Sequence, residues 1–451
     1  MTAAPMSAPL AHWQPDDRAF WAREGSRVAR RNLAVSATAL TLSFAVWMVW
    51  SVVVVTLPHA GFRFSTGQMF WLAAAPGLAG ATLRLLFAFF VPIFGGRSWT
   101  ALSTLLLLVP TVGLGFAVQD PSTGYPTMLA LALAAGIGGG NFASSMSNIS
   151  FFYPAERQGT ALGLNAGLGN LGVGLAQLVV PLAVGVALFG ALAGPPQAAA
   201  EPASSALWLQ NAGFVWVPAI LVVAWLAWRY MDDLEVVRAS IGEQATVVLR
   251  RDTWILAWLY LGTFGSFIGF SAGFPLVADV QYGGAEITAY AFSGPLVAAL
   301  ARPLGGWLAD HHGGAAVAIV CFAVMAAAVG WMLGAHGSWA AFLAAFALLF
   351  VASGIGNGAV FQMFPRAFAR LHAGAAGNGA RTAALEAAAA LGVASGVAAF
   401  GGFFIPKAYG TAVALSGDTR PALALFLVFY LSCIAVAWWF YARPEAAGRT
   451  A

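Results

Sequence analysis

The sequence predicts an all-α polytopic membrane protein made of two similar halves, each of six spanning helices. Three observations carry that prediction. The chain of 451 residues is 60% hydrophobic and 8% charged, where soluble domains carry about 25% charge. Apolar runs of about 20 residues, enough to cross a bilayer, recur along its whole length. Finally, features of the first half return in the second at one fixed spacing. AAGIGGG at 134–140 is matched by ASGIGNG at 352–358, 218 residues later. Arg84 is matched by Arg302, and Gly95-Gly96 by Gly313-Gly314, at the same spacing. A constant offset at separated places marks two parallel repeats, the way transporter halves are built, with a site between them near mid-bilayer.

Residues 1–31 are polar and rich in arginine, with no cleavable signal peptide. Trp13, Phe20 and Trp21, set among Arg18, Arg23, Arg27, Arg30 and Arg31, predict a helix lying on the cytoplasmic surface. A solvated basic tail is the alternative. Twelve apolar spans follow: 32–57, 68–94, 99–118, 126–152, 158–190, 207–230, 253–278, 288–310, 314–335, 338–364, 384–414 and 421–442. The first six form a half over 32–230 and the last six a half over 253–442. The charged stretch 231–252 between them is a linker with some helix, and 443–451 is a tail. ALAGPPQAAAEPASSA at 191–206 is a low-complexity outer loop.

Charge sets the orientation. With both termini cytoplasmic, the inner segments collect sixteen arginines, and the outer side holds only Arg63, Lys407 and Arg420. The two basic residues left over are Arg84 and Arg302, each inside an apolar span. Several function classes drop out. A net charge of +4 spread in this way is no nucleic-acid signal. HHGG is not a zinc motif, HExxH is absent, and the GxGxxG-like runs lie in apolar spans without a following acid. No metal or cofactor is implied. Cys321 and Cys433 lie in apolar runs and read as core packing. The linker is too short to be an output domain.

An arginine in mid-membrane costs about 3 kcal/mol on insertion scales and more in simulations, so it is paired or faces a wet cavity. All 17 acidic residues fall in loops, tails or span ends. Glu386, at the start of the eleventh span, comes nearest to a partner. The missing counter-charge is most simply a mobile anion. The planar fork of arginine suits an oxyanion, which it meets with two parallel hydrogen bonds.

Two pairs of spans are rich in small residues: GIGGGNFASSMSNISFFYP (136–154) with GLNAGLGNLGVG (163–174), and GIGNGAVFQMFP (354–365) with GVASGVAAFGGFFIPKAYG (392–410). Small residues let helix backbones approach closely in membranes. Tight packing alone would account for them. Sliding surfaces between the halves, with room for a small ligand, would also account for the amides Asn141, Asn165 and Asn170 at membrane depth.

These phrases resemble the nitrate/nitrite porter family (NarK-type) of the major facilitator superfamily. GLNAGLGNLGVG is similar to that family's first signature and GVASGVAAFGGFFIPKAYG to its second. RNLAVSATALTLSFAVWMVWS, GNFASSMSNISFFYP, FGGRSWT and LGTFGSFIGFSAGFP extend the likeness over residues 12–443. The resemblance implies a major facilitator fold and, as partners, nitrate, nitrite and the lipid bilayer, with no nucleic acid and no cofactor. It implies that Arg84 and Arg302 clamp the anion, Tyr260 donates a hydrogen bond, and Asn170 contacts or orients it. Phe142 and Phe361 would close above and below a flat ligand; taken singly, each aromatic reads as core filling. Gly163, Gly167, Gly169, Gly172, Gly392, Gly396 and Gly401 would be the sliding glycines of the signatures. GGWLADHHGG is similar to the superfamily's loop motif, which makes Asp310 a gating residue. The first-half copy has Pro92 in its place.

The expected activity is exchange of nitrate for nitrite by alternating access, in a monomer of the bacterial cytoplasmic membrane. Two facing cations disfavour closure until an anion lies between them. Nitrate–proton symport is the alternative, but the histidines all fall in the tail, loops or span ends.

Overall fold

The computed structural model describes residues 10, 12–87, 89–190, 194–197, 206–235, 246–283, 290–334, 338–372 and 379–443. Twelve long helices fill those residues. In order they are α1 (Arg18–Thr56), α2 (Thr66–Phe87), α3 (Gly96–Ala117), α4 (Tyr125–Phe152), α5 (Ala155–Val184), α6 (Asn211–Tyr230), α7 (Arg251–Tyr282), α8 (Ser293–His312), α9 (Gly314–Gly334), α10 (Trp339–Leu371), α11 (Gly379–Ala399, continuing as Gly401–Ser416) and α12 (Arg420–Ala442). Eleven are long and apolar enough to cross a membrane on length and composition alone. The twelfth, α8, spans 20 residues but carries Arg302, Asp310 and two histidines, which dilute its apolar character.

Beyond the first span, the span ends lie within about seven residues of the predicted ones, and the first span shows the clearest difference. The N-terminal segment is not a separate surface helix. It runs through a π turn (Trp21–Gly25) straight into the first span, giving one 39-residue helix about 58 Å long. Trp13, just before it, turns into the protein: its indole donates to the Phe151 carbonyl (3.0 Å) and its ring meets Phe20 and Phe152 edge-on. Protein, not lipid, covers this aromatic residue.

The linker is pinned at both ends. Asp232 accepts from Arg31 (2.6 Å) and Asn32 (2.7 Å). Asp233 accepts from the Arg97 backbone N–H (2.8 Å) at the start of α3. At the other end Arg250 pairs with Glu386 (2.9 Å), which also meets His372 (3.1 Å). Residues 236–245 of the linker and most of 191–206 lie outside the described residues.

Each half closes around small residues. In the first half, the Trp47 ring enters between α2 and α4 where Gly80 and Gly139 leave room. A Cβ on either glycine would lie within 2.8 Å of the indole. In the second half α8 and α10 touch backbone to backbone: a Cβ at Gly354 or Gly358 would collide with the carbonyls of Ala298 and Arg302. The repeated glycines of 134–140 and 352–358 therefore set how closely each arginine-bearing helix approaches its neighbour.

Between the halves, α2 meets α11, α5 meets α8, and α1 meets α7. This seam is tight at the end away from the linker. A Cβ at Gly77 would collide with the Gly402 carbonyl, and Gly174 lies against Phe292 and Leu296. Trp71 and Phe403 bring their rings to 5.6 Å. On α5, residues 159, 163, 167, 170 and 174 share one face by helical spacing. Gly174 on that face is in contact, yet Gly159, Gly163 and Gly167 meet nothing within 4 Å, and Gly392 on α11 likewise. The halves thus close at one end and part at the linker end.

Candidate functional site

Arg84 is fully buried in the middle of the molecule. Its Nε donates to the Gly139 carbonyl on α4 (2.8 Å) and its Nη1 to the Ser395 carbonyl on α11 (3.1 Å), so it ties the two halves together. Four rings surround its guanidinium carbon: Phe142 at 4.4 Å, Phe264 at 5.0 Å, Trp47 at 5.2 Å and Phe44 at 5.5 Å. Cation–π attraction of this kind contributes about 2 kcal/mol or more where the cation is desolvated. Its Nη2 has no partner among the described residues.

Arg302 is 5% exposed and holds its guanidinium 5.1 Å from the Phe361 ring. Both Nη1 and Nη2 lack a partner. A chain of rings links the two cations: Phe142 to Phe264 (6.1 Å), Phe264 stacked on Tyr260 (5.4 Å), and Tyr260 edge-on to Phe364 (6.1 Å), one turn from Phe361. The π turn Leu261–Gly265 lies in α7 at this point, a local widening common at functional sites. Tyr260 is wholly buried with its hydroxyl unpartnered.

Asn170 on α5 is buried and its carbonyl oxygen is unpartnered. Nothing ties its side chain to either arginine directly. Asn165 and Asn141 instead bind inside the first half, to Ser145 (2.8 Å) and Ser43 (3.0 Å). No carboxylate among the described residues pairs with Arg84 or Arg302. Glu386, the best acidic candidate, is engaged with Arg250 and His372 at the linker end. Asp310 pairs with Arg366 (2.9 Å), on the same half and well exposed, so this bridge does not cross between the halves.

The signature glycines separate by what they face. Gly396 alone among them packs across the seam, against Leu85. Gly169 and Gly172 pack on α1, and Gly401 on Gly265 of α7, inside their own halves. In this state these three set packing within a half. Gly163, Gly167 and Gly392 face open space at the linker end.

Sequence reasoning missed Phe44, Trp47, Phe264 and Asn357. Asn357 is 1% exposed, its carbonyl oxygen is unpartnered, and it lies one turn before Phe361. Its signal was available: 218 residues earlier stands Gly139, whose carbonyl holds Arg84. Arg84, Arg302 and Tyr260 keep buried donors unpartnered, and Asn170 and Asn357, like Asn141 and Asn165, keep buried amide oxygens unpartnered, each costing about 1–3 kcal/mol or more when charged. Of these atoms only the guanidinium nitrogens of Arg84 and Arg302 and the Tyr260 hydroxyl can donate; the amide oxygens accept.

Two six-helix halves with a buried cationic site between them define the class, a membrane transport protein. Residues 39–377 match the family model of the Major Facilitator Superfamily. The chain is 45% identical to the nitrate/nitrite transporter NarU of Salmonella typhimurium, covering 97% of this chain and 96% of that one. It is 42% identical to the probable nitrate/nitrite antiporter NarK2 of Thermus thermophilus, covering 97% of each. Among solved structures, the partially occluded inward-open xylose transporter XylE from E. coli superposes with a TM-score of 0.63 at 14% identity, over 93% of this chain and 99% of that one. The chain belongs to the nitrate/nitrite porter family of the major facilitator superfamily.

Proposed function

We propose that this protein exchanges nitrate for nitrite across the bacterial cytoplasmic membrane by alternating access. The observation that carries this reading is the pair of buried arginines with unpartnered guanidinium nitrogens and no carboxylate partner among the described residues. Arg84 is fixed by two carbonyls and offers Nη2; Arg302 offers both Nη1 and Nη2. A planar monoanion between them takes parallel hydrogen bonds from the forks, with the Tyr260 hydroxyl as a further donor and Asn170 contacting or orienting it. Phe142 and Phe361, already seated on the two cations, bracket its faces. Relatives that carry nitrate and nitrite in their names support the choice of anion.

The chain works in this reading as a monomer, with halves 32–230 and 253–442, a linker over 231–252, and both termini cytoplasmic. The arginine asymmetry supports that orientation, and the end that stands open then faces the cytoplasm. Asp310–Arg366 and Glu386–Arg250–His372 brace the inner ends of α8, α10 and α11. Binding of the anion relieves repulsion between two cations in a low-dielectric site, so the loaded protein is the one that changes state.

Counterflow in proteoliposomes tests this. Uptake of labelled nitrate should require nitrate or nitrite inside. Equal uptake into vesicles without internal anion, driven by a pH gradient, would establish symport with protons and overturn exchange.

A further inference from the structure

A groove of about 630 Å³ runs between α7, α11 and α12, apart from the arginine site. It follows α11 from Gly401 to Ser416, about 22 Å at 1.5 Å per residue. That exceeds one leaflet of a ~30 Å hydrocarbon core. Three polar side chains of its walls, Trp258, Ser266 and Tyr430, already have partners. The Tyr430 hydroxyl meets the Ser266 hydroxyl (2.8 Å), and the Trp258 indole donates to Ser432 (3.2 Å). What remains is an apolar channel of Phe404, Leu415 and Leu425, all well exposed on an element that lies in lipid.

One charged side chain lines it. Lys407 is the only lysine among the 21 basic residues of the chain. Its ammonium rests 4.4 Å from the centre of the Trp71 ring, on α2 of the other half. No carboxylate among the described residues pairs with it. Lysine stems lie along apolar surface while the head reaches toward the headgroup level, and tryptophan settles at that level too. Trp71 is five residues into α2, near the helix end, which places the ammonium within reach of the interface.

We propose that this groove is a phospholipid site: one acyl chain lies along α11 and α12, and Lys407 binds the phosphate. The occupant is fixed by complementarity, an apolar channel with one cation partway along it, six residues from Gly401 and nine from Ser416, whose flexible stem reaches toward the interface beside Trp71. The floor at Gly265 and Leu261 is the outer side of the same π turn that presents Tyr260 and Phe264 to the arginine site. A seated chain therefore supports the turn that positions those two rings.

Native mass spectrometry tests this on protein reconstituted with phosphatidylethanolamine and phosphatidylglycerol and then extracted in mild detergent. The wild type should retain one phospholipid per chain. Ala408→Trp, which fills the channel, should reduce retention at least fivefold. Lys407→Gln should reduce it several-fold, and Lys407→Arg should restore it. Should Ala408→Trp melt early, Leu425→Trp fills the same channel from α12. A wild type that retains no lipid, or a filled groove that retains as much as the wild type, overturns the site. Retention of diacylglycerol equal to phospholipid, with Lys407→Gln unchanged, overturns the phosphate contact. Neither readout depends on transport, so the outcome is separate from that of the exchange experiment.

Discussion

Lysine in place of Arg84 or Arg302 would keep the charge and lose the fork. Arg84 spends Nε and Nη1 on two carbonyls and still has Nη2 to offer; one ammonium cannot hold both carbonyls and a ligand at once. Each charge-assisted hydrogen bond lost costs about 1.5–3 kcal/mol, or roughly 10- to 150-fold in affinity. Because the anion also screens the two cations for closure, Arg84→Lys and Arg302→Lys should each abolish exchange, measured as counterflow. Tyr260→Phe is the milder test. It removes an unpartnered hydroxyl without disturbing the stack on Phe264, so nitrate affinity by calorimetry should fall about 10-fold with the melting temperature unchanged. At this scale the sequence was informative where a residue violates its surroundings. A cation in an apolar run stands out, and so both arginines were legible. Phe44, Trp47 and Phe264 were not, because an aromatic in a membrane helix is ordinary until a neighbouring helix brings a cation to its face. The carbonyls of Gly139 and Ser395 carry no side-chain signal at all.

Among the helices, α5 shows how one glycine-rich stretch serves two purposes. Gly172 abuts the Thr41 carbonyl of α1, while Gly167, on another face, meets open space. A methyl group at Gly172 overpacks the first half, at about 1–3 kcal/mol. Gly172→Ala should therefore lower the melting temperature and the yield of folded protein. A methyl group at Gly167 meets no obstacle in this state and reduces the entropy of the unfolded chain, a gain of about 0.4–1 kcal/mol. It obstructs closure of the inner end, where α5 must approach α8. Overpacking of 1–3 kcal/mol there shifts the closed population about 5- to 150-fold. Gly167→Ala should hold or raise the melting temperature while exchange falls by about tenfold or more. Spacing alone could not separate these residues: the motif GLNAGLGNLGVG shows that contacts are close, but which neighbour each glycine meets is decided by helix rotation. The same limit applied to the first span. Its apolar stretch was legible, but its seamless extension back to Arg18 was not, since a basic amphipathic segment reads the same on a membrane surface or against a protein.

For the molecule as a whole, the 218-residue repeat makes the two-half architecture legible in the sequence, because duplicated halves keep their punctuation even where side chains diverge. It did not show which end of the seam is closed, since both states are built from one sequence and differ only in how the halves lean. That lean has an electrical consequence. Arg84 and Arg302 place two fixed positive charges inside the apolar spans, and in the proposed exchange each cycle carries one monoanion in and one out. Net charge moved per cycle is then zero. A lone anion entering a cell would face about 2.3 kcal/mol per 100 mV, a roughly 50-fold penalty at that potential. Exchange of external nitrate for internal nitrite should accordingly run at the same rate in vesicles held at zero and at −100 mV by a potassium gradient with valinomycin. A steep dependence on potential would mean that an uncompensated charge crosses. The two arginines would then be stations along an anion path rather than the partners of a bound anion that travels both ways.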